Sequence, residues 1–240
     1  MIDIGRFRYD LKGVFLAGVI LLLAACGSSG DGGSNANNSS ALLHVTPSGS
    51  SSTDTDLWYQ IDNLPYEFLS DAELEALAFM REEEKLARDV YLRMYEIWDQ
   101  RIFTNIANAE QTHMDAVLRL LEKYDLEDPA SDTPQGVFTD PVLQGLYDML
   151  VAQGSASLVD ALIVGATIED LDIFDLQRQL AVVDNQDIIL VFENLTKGSR
   201  NHMRAFSSRL ADLGVVYTPV YISQEEYDAI INSDTETGAN

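Results

Sequence analysis

Apolar residues recur at helical spacing over four long stretches of the chain, and no stretch of useful length alternates as a strand would. The four stretches run from Ser70 to about Trp98, from about Phe103 to Tyr124, from Ser155 to about Val182 and from Asn185 to about Leu213. Shorter helices are predicted near 141–151 and after Ser223, where a capping-box sequence begins. The pattern therefore predicts an all-α fold with four long helices, a short helix between the second and third, and a short C-terminal helix.

Each long helix carries an ionisable residue within its apolar stripe. On the second helix Glu110 and His113 stand three residues apart, which places a carboxylate and an imidazole on one face, one turn apart. The other three helices carry Glu84, Glu169 and His202, in chain order. Because the helical period directs all five side chains inward, we expect them to meet in the interior.

Charged groups in such positions need partners, because an isolated buried charge is strongly destabilising. The sequence leaves two interpretations open, a metal site between the helices or a buried hydrogen-bond network of glutamate and histidine without an ion. Glu83 borders the same stripe as Glu84, and the periodicity does not choose between them. Glu193 points to the opposite side of its helix from His202 and is not a candidate ligand.

Two sequence patterns carry a family resemblance. Glu84-x-x-Ala87-x-x-x-Tyr91 on the first helix, with Glu110-x-x-His113 on the second, resembles the first half of a rubrerythrin-type ferritin-like di-iron bundle. The stretch 69–213, including Gly-Ser-Arg-Asn-His-Met-Arg-Ala-Phe at 198–206, is similar to an uncharacterised ferritin-like family of bacterial exported proteins. The resemblance implies a ferritin-like four-helix bundle, in which two helices each supply Glu and two supply Glu-x-x-His.

The resemblance also implies a set of metal ligands, with Glu110 as a bridge. These ligands are Glu84, Glu110, His113, Glu169 and His202. The chain departs from the pattern at Ser199, which stands where the second Glu-x-x-His requires its glutamate. Asp172, one turn after Glu169, either supplies the missing oxygen or lies on the helix surface. The site therefore holds two ions or only one.

Mixed carboxylate and imidazole ligands suit Fe, Mn or Zn, and the resemblance favours iron. It implies oxidation of Fe(II), or reduction of peroxide or O₂, as the chemistry. Tyr91 and Tyr95 follow Glu84 on the same helix and are either hydrogen-bond donors or radical relays near the site, or plain core residues. The alternative function is a non-enzymatic envelope module, with a structural metal or a metal-free bundle that binds another protein. A homo-oligomer is compatible with either function.

The N-terminus is typical of an exported lipoprotein. Residues 1–25 place three basic residues before the apolar run 14–23, as signal peptides do. Leu23-Ala24-Ala25-Cys26 resembles the lipobox of bacterial lipoproteins, which implies cleavage before Cys26 and attachment of lipid, including palmitate, to the cysteine. The alternative is a retained membrane anchor, but the run is shorter than the ~20 residues that span a bilayer. Gly27, in place of Asp, favours the outer membrane.

The composition of the remaining residues separates a linker from a folded domain. Residues 26–56 are rich in Gly, Ser and Asn and predict a flexible linker, in which His44 is given no role. Residues 57–240 have the length of a single domain, here the ferritin-like bundle with a C-terminal extension. The formal net charge of −24 disfavours nucleic acid as a partner, and it either attracts metal cations or gives an exported protein a well-solvated acidic surface. Because Cys26 is the only cysteine, disulfides and iron–sulfur clusters are excluded from the folded part.

Overall fold

The computed structural model describes residues 43–45, 51–53 and 55–237, and these form seven helices and a two-stranded antiparallel hairpin. The elements are β1 (Leu43–Val45), β2 (Ser51–Thr53), α1 (Thr55–Asn63), α2 (Asp71–Trp98), α3 (Arg101–Lys123), α4 (Pro141–Gly154), α5 (Leu158–Leu180), α6 (Gln186–Asp212) and α7 (Gln224–Ile231). The predicted all-α class is confirmed.

The predicted helices differ from the observed ones mainly at their ends. The capping box at Ser70 is present, with reciprocal hydrogen bonds between Ser70 and Glu73. α5 begins later than predicted because Ser157, rather than Ser155, is its N-cap and accepts a hydrogen bond from the Asp160 amide at 3.0 Å. α1 was not predicted, although Leu57 and Ile61 lie four residues apart on it and are fully buried.

The N-terminal predictions concern residues that lie largely outside the described ranges. The signal peptide 1–25 and the lipidated Cys26 lie wholly outside them. Within the predicted linker, 43–45 and 51–53 pair as the hairpin and α1 begins at Thr55. Across the described ranges, no helix is both long and apolar enough to cross a membrane.

The four long helices enclose a common interior. α2 packs along α3 and α5 along α6, and the α3–α6 and α2–α5 contacts join the two pairs. Two apolar clusters fill this interior, one that includes Met94, Phe103 and Phe206 and one that includes Leu77 and Leu120. On α2, α3 and α6 the inward-facing ionisable residues occur in the sequence between these clusters, whereas Glu169 of α5 is flanked by residues of the first cluster. The helices therefore form a buried polar layer with apolar packing on both sides.

Buried carboxylates away from this layer receive several hydrogen bonds. Glu82 of α2 accepts from the Thr139 amide and hydroxyl and from the Asp140 amide, at 2.5 to 3.0 Å. Asp170 of α5 accepts from the Tyr217 hydroxyl at 2.8 Å and from the amides of residues 220–222. These contacts fix the loop before α4 and the segment before α7 to the long helices, and they satisfy the carboxylates as burial requires.

Candidate metal centre

All five predicted ligand residues meet in the buried polar layer. They are Glu84 of α2, Glu110 and His113 of α3, Glu169 of α5 and His202 of α6, each at most 2% exposed. They form two triads, Glu84–Glu110–His113 and Glu110–Glu169–His202, and in each triad one ligand atom per residue lies within 4.8 Å of the others. The two triads share Glu110, so the described residues contain buried acidic and histidine clusters with the geometry that could hold a metal ion.

Each imidazole directs one nitrogen toward two carboxylates. His113 Nδ1 lies 3.1 Å from Glu84 Oε2 and 2.6 Å from Glu110 Oε2. His202 Nδ1 lies 2.9 Å from Glu110 Oε1 and 3.5 Å from Glu169 Oε2. The rings are stacked with centroids 5.5 Å apart. Glu110 therefore uses one oxygen for each triad.

This convergence suits a cation better than a hydrogen-bond network. A ring nitrogen carries at most one hydrogen, which cannot be donated well to two carboxylates at once. In the described part of the chain, neither Glu84 Oε1 nor His202 Nδ1 has a partner with acceptable hydrogen-bond geometry. A metal ion in each triad would bind the nitrogen and both oxygens together, so the donor set fits a first-row transition metal.

Gly198 of α6 sets the orientation of His113. A Cβ atom at position 198 would lie 2.4 Å from His113 Nε2 and 2.5 Å from Cε1, far closer than van der Waals contact. The imidazole therefore rests against the α6 backbone, with Nδ1 directed toward Glu84 and Glu110. The sequence of the segment 198–206 does not predict this role, because the contact depends on the distance between α3 and α6.

The electrostatics of the site follow from burial and from the shared carboxylate. Burial, together with the charge of Glu110, raises the pKa of Glu84 and of Glu169 from 4.5 to about 7, although the histidines oppose the shift. Burial by itself lowers the pKa of His202, but Glu110 and Glu169 outweigh it and raise the pKa to about 9. Burial likewise opposes ionisation of Glu110, but both imidazoles hold its pKa well below the ordinary value.

Of the two candidate tyrosines, only Tyr91 hydrogen-bonds to a candidate ligand. It is fully buried, and its hydroxyl donates to Glu169 Oε1 at 2.5 Å. Burial and the neighbouring carboxylates raise the pKa of Tyr91 well above 10, so the hydroxyl stays a donor at neutral pH. Tyr95 is half-buried and packs against the apolar cluster that includes Met94, in agreement with a core role.

Ser199 and Asp172 meet beside the triads. The Ser199 hydroxyl donates a hydrogen bond to Asp172 Oδ2, while Asp172 Oδ1 has no partner in the described part of the chain. Asp172 is only 6% exposed, so it is not a surface aspartate. Burial and the charges of Glu84 and Glu169 raise its pKa well above the ordinary value. An acidic group on α5 therefore lies beside Ser199, the position at which the sequence lacks the glutamate of a second Glu-x-x-His.

The structure also resolves the choice between the adjacent glutamates of α2. Glu84 belongs to a triad, whereas Glu83 faces Asp175 and Asp172 of α5 and is equally buried. Burial, followed by the charges of Asp175, Asp172 and Glu84, raises the pKa of Glu83 well above the ordinary value. Asp175 was missed because it lies about 120° round α5 from Glu169, outside the apolar stripe. Glu193 is exposed, as predicted.

Comparisons with known proteins give the family. A family profile described as an uncharacterized protein domain, DUF2202, matches residues 73–234. The uncharacterized protein MJ0754 of Methanocaldococcus jannaschii is 58% identical over 180 residues, which cover 75% of this chain and 97% of that protein. A crystal structure of the hypothetical protein MJ0754 from Methanococcus jannaschii gives a TM-score of 0.71 at 58% identity, with 72% of this chain and 99% of that chain covered. The chain therefore belongs to the DUF2202 family of uncharacterised domains.

Proposed function

We propose that this protein is a ferritin-like four-helix bundle that binds two first-row transition-metal ions, with Glu110 shared between them. The observation that carries the proposal is the pair of triads, each of which directs one imidazole Nδ1 and two carboxylate oxygens at a common point. In support, α2 and α5 each supply one glutamate and α3 supplies Glu-x-x-His, as in ferritin-like carboxylate proteins. α6 supplies His202 without the glutamate.

Iron is the metal that we favour, with Mn and Zn as the other candidates. Carboxylate and imidazole donors suit all three ions. The only cysteine is Cys26, far from the triads in sequence, so a thiolate site is not the basis of the proposal. Iron follows from the resemblance to rubrerythrin-type proteins, and bound iron would supply one-electron chemistry with O₂ or peroxide.

The burial, hydrogen bonds and pKa values of the site residues set the conditions for such chemistry. The side chains of all five ligands are at most 3% exposed, so any molecule that reaches the ions must be small. Tyr91 donates a hydrogen bond to Glu169 and thereby holds that carboxylate in place. Glu84 and Glu169, with pKa values of about 7, exchange protons near neutral pH when a cation enters or leaves.

Redox turnover tests this function directly. The protein is loaded anaerobically with Fe(II) and mixed with O₂ or with hydrogen peroxide, and the oxidation of iron is followed by absorbance. Loaded wild type should oxidise Fe(II) faster than an equal concentration of Glu110→Ala with the same added iron. Equal rates would exclude the redox function and favour the alternative, a structural metal in a non-enzymatic envelope module.

Attachment to the cell envelope remains a separate proposal. It depends on the lipobox-like sequence that ends at Cys26, with the outer membrane favoured by Gly27. Neither residue belongs to the described ranges. In this proposal the linker tethers the metal-binding domain to the membrane through the lipid on Cys26.

Asp172 is expected to strengthen metal binding in place of the missing glutamate. Asp172→Asn keeps the size of the side chain but removes a negative charge beside both triads, so we expect the affinity for metal to fall by about 10- to 100-fold. Ser199→Ala should have a smaller effect, because it removes only one hydrogen bond to Asp172. Equilibrium dialysis against Mn(II) measures both changes. Unchanged affinity in Asp172→Asn would show that Asp172 does not contribute to the site.

Metal-free protein is expected to lose stability as the pH rises from about 5 to about 9. Glu84 and Glu169 have pKa values of about 7 in the folded state against 4.5 ordinarily, and His202 has about 9 against 6.5. The folded state therefore binds more protons than the unfolded state in this window, and stability falls as they leave. Urea unfolding of chelator-treated protein at several pH values measures the trend.

Metal should reverse this trend, since a cation replaces the protons on the same carboxylates and imidazoles. We therefore expect the difference in free energy of unfolding between loaded and metal-free protein to grow as the pH rises from about 5 to about 8. Metal-free protein that becomes more stable across this range would contradict the proton assignments.

A further inference from the structure

A second buried acidic group lies beside the metal centre, between α2 and α5. It consists of Glu83, Asp172 and Asp175, which are 4%, 6% and 0% exposed, and is called the seam cluster below. Glu83 adjoins Glu84 in sequence, and Asp172 lies three residues after Glu169 on α5. Asp175 follows one further turn along. The seam cluster therefore continues from both triads along the contact between two long helices.

Glu83 differs from the other buried carboxylates of the fold. Glu82 accepts three hydrogen bonds and Asp170 accepts four, mostly from backbone amides. In contrast, no backbone amide and no basic or hydroxyl donor reaches Glu83 or Asp172 Oδ1 within the described residues, and Glu83 interacts instead with the carboxyl group of Asp175. Two buried carboxyl groups in contact need a proton or a cation between them, so a cation is a fitting partner for these oxygens.

The charges around Glu83 point to the same conclusion. The side chains that act most strongly on it are the carboxylates of Asp175, Asp172 and Glu84. Lys85, the next residue on α2, is held by Asp89 at 2.6 Å and by two carbonyl oxygens. Arg178 lies 3.8 Å from Asp175 and is 41% exposed at the side chain. Within the described residues, the ion pair of the seam cluster is therefore the one between Asp175 and Arg178, at its outer end, and three acidic side chains converge on Glu83.

Spacing along α5 orders these groups from the surface to the centre. Arg178, Asp175, Asp172 and Glu169 follow one another at intervals of three residues. At a rise of 1.5 Å per residue, Asp172 lies about 4.5 Å and Asp175 about 9 Å from Glu169 along the helix axis. An ion in the seam cluster is thus one or two turns of helix away from the triad that contains Glu169.

We propose that the seam cluster is a second cation site, which binds a divalent metal ion and passes it to the metal centre. This inference rests on the proposed function, since it concerns how the two triads are loaded. The ligands are oxygen atoms only, which suits a hydrated divalent ion such as Mn(II), and Co(II) serves as its spectroscopic probe. Among the described residues only the two triads gather three ligand atoms within 4.8 Å, so we expect weaker binding at the seam cluster.

The rate of loading tests this role. Wild type, Glu83→Gln and Glu193→Gln are mixed anaerobically with Co(II), and the visible absorption of Co(II) at the nitrogen-containing centre is followed with time. We expect Glu83→Gln to load about tenfold more slowly, because an amide cannot give up a proton and bind the incoming cation as a carboxylate does. Its final absorbance should match that of wild type. Glu193→Gln makes the same substitution on the exposed side of α6 and should load at the wild-type rate.

An equilibrium binding measurement tests the seam cluster in a variant whose metal centre is disrupted. Glu110→Ala removes the carboxylate that both triads share, so the ions that remain bound report other sites. Equilibrium dialysis against Co(II) should find one weakly bound ion in Glu110→Ala, which is lost in the double variant Glu83→Gln/Glu110→Ala.

The outcomes separate this inference from the proposed function. If Glu83→Gln loads as fast as Glu193→Gln and the double variant binds as much Co(II) as Glu110→Ala, the seam cluster is not a cation site, while the centre stands. If wild type gives no absorption of centre-bound Co(II), the proposed function fails and the loading role fails with it. If a weakly bound Co(II) ion still depended on Glu83 in that case, Glu83 would belong to a cation site that does not load the centre.

Discussion

Replacement of Glu110 by Ala is expected to remove both metal ions, reducing the bound metal from two ions per chain to none at the centre. The reason is geometric, since Oε2 of Glu110 lies 2.6 Å from His113 Nδ1 and Oε1 lies 2.9 Å from His202 Nδ1. In contrast, Glu84 belongs to one triad alone, so Glu84→Ala should lose one ion and retain the other. Elemental analysis of protein reconstituted anaerobically with Mn(II), followed by desalting, measures the metal content.

Glu193→Ala is the matched control for Glu110→Ala. It removes one glutamate from an exposed position, so it should retain both ions. Circular dichroism of each variant checks that the helices are intact. Equal metal loss in Glu84→Ala and Glu110→Ala, with helices intact in both, would contradict a bridging role for Glu110 and indicate that the two triads bind a single ion together.

Gly198→Ala is expected to abolish binding of the ion held by His113. The added Cβ would lie 2.4 Å from His113 Nε2, so the ring must turn or α6 must move away from α3. Either change takes Nδ1 from the position where it faces Glu84 and Glu110. Alanine is intrinsically about 1 kcal/mol better than glycine inside a helix, so a loss of metal binding cannot be attributed to helix propensity. Anaerobic titration with Co(II), followed by visible absorption, measures the loss.

Gly145→Ala on α4 supplies the control for this substitution. A Cβ at position 145 meets nothing within 4 Å, so the change should keep full metal binding and stabilise the protein by up to about 1 kcal/mol. The two variants therefore make the same chemical change in helices, with opposite expected results. Full binding of both ions by Gly198→Ala would show that contact with α6 does not position His113.

The candidate ligands were predictable because the helical period is strict. A helix turns by about 100° per residue, so the positions of Glu110 and His113 within an apolar stripe already place them on one buried face. The same reasoning predicts that the side chains of Glu169 and His202 point inward. All five residues then meet at similar depth because the helices are long, antiparallel and tightly packed, and this turns four separate stripes into one polar layer.

The remaining features depend on contacts between helices and were not predictable from periodicity. Glu84 lies in the apolar stripe of α2 and Glu83 borders it, and only the positions of α3 and α5 place Glu84 in a triad and Glu83 against Asp175 and Asp172. The contact of Gly198 with His113 and the hydrogen bond between Ser199 and Asp172 both depend on how α6 packs against its neighbours. A sequence pattern fixes the direction of a side chain, whereas these contacts also require the distance between two helix axes.

The number of ions bound by the wild-type protein tests the central claim most directly. Purified protein is stripped of metal, titrated anaerobically with Co(II) near pH 8, and followed by the visible absorption that nitrogen and oxygen ligands produce. The account predicts that the absorption rises until two Co(II) ions per chain are bound at the centre, and that the Glu110→Ala variant gives no such absorption. Saturation at a single ion, or wild-type absorption in Glu110→Ala, would contradict a centre of two ions joined by Glu110.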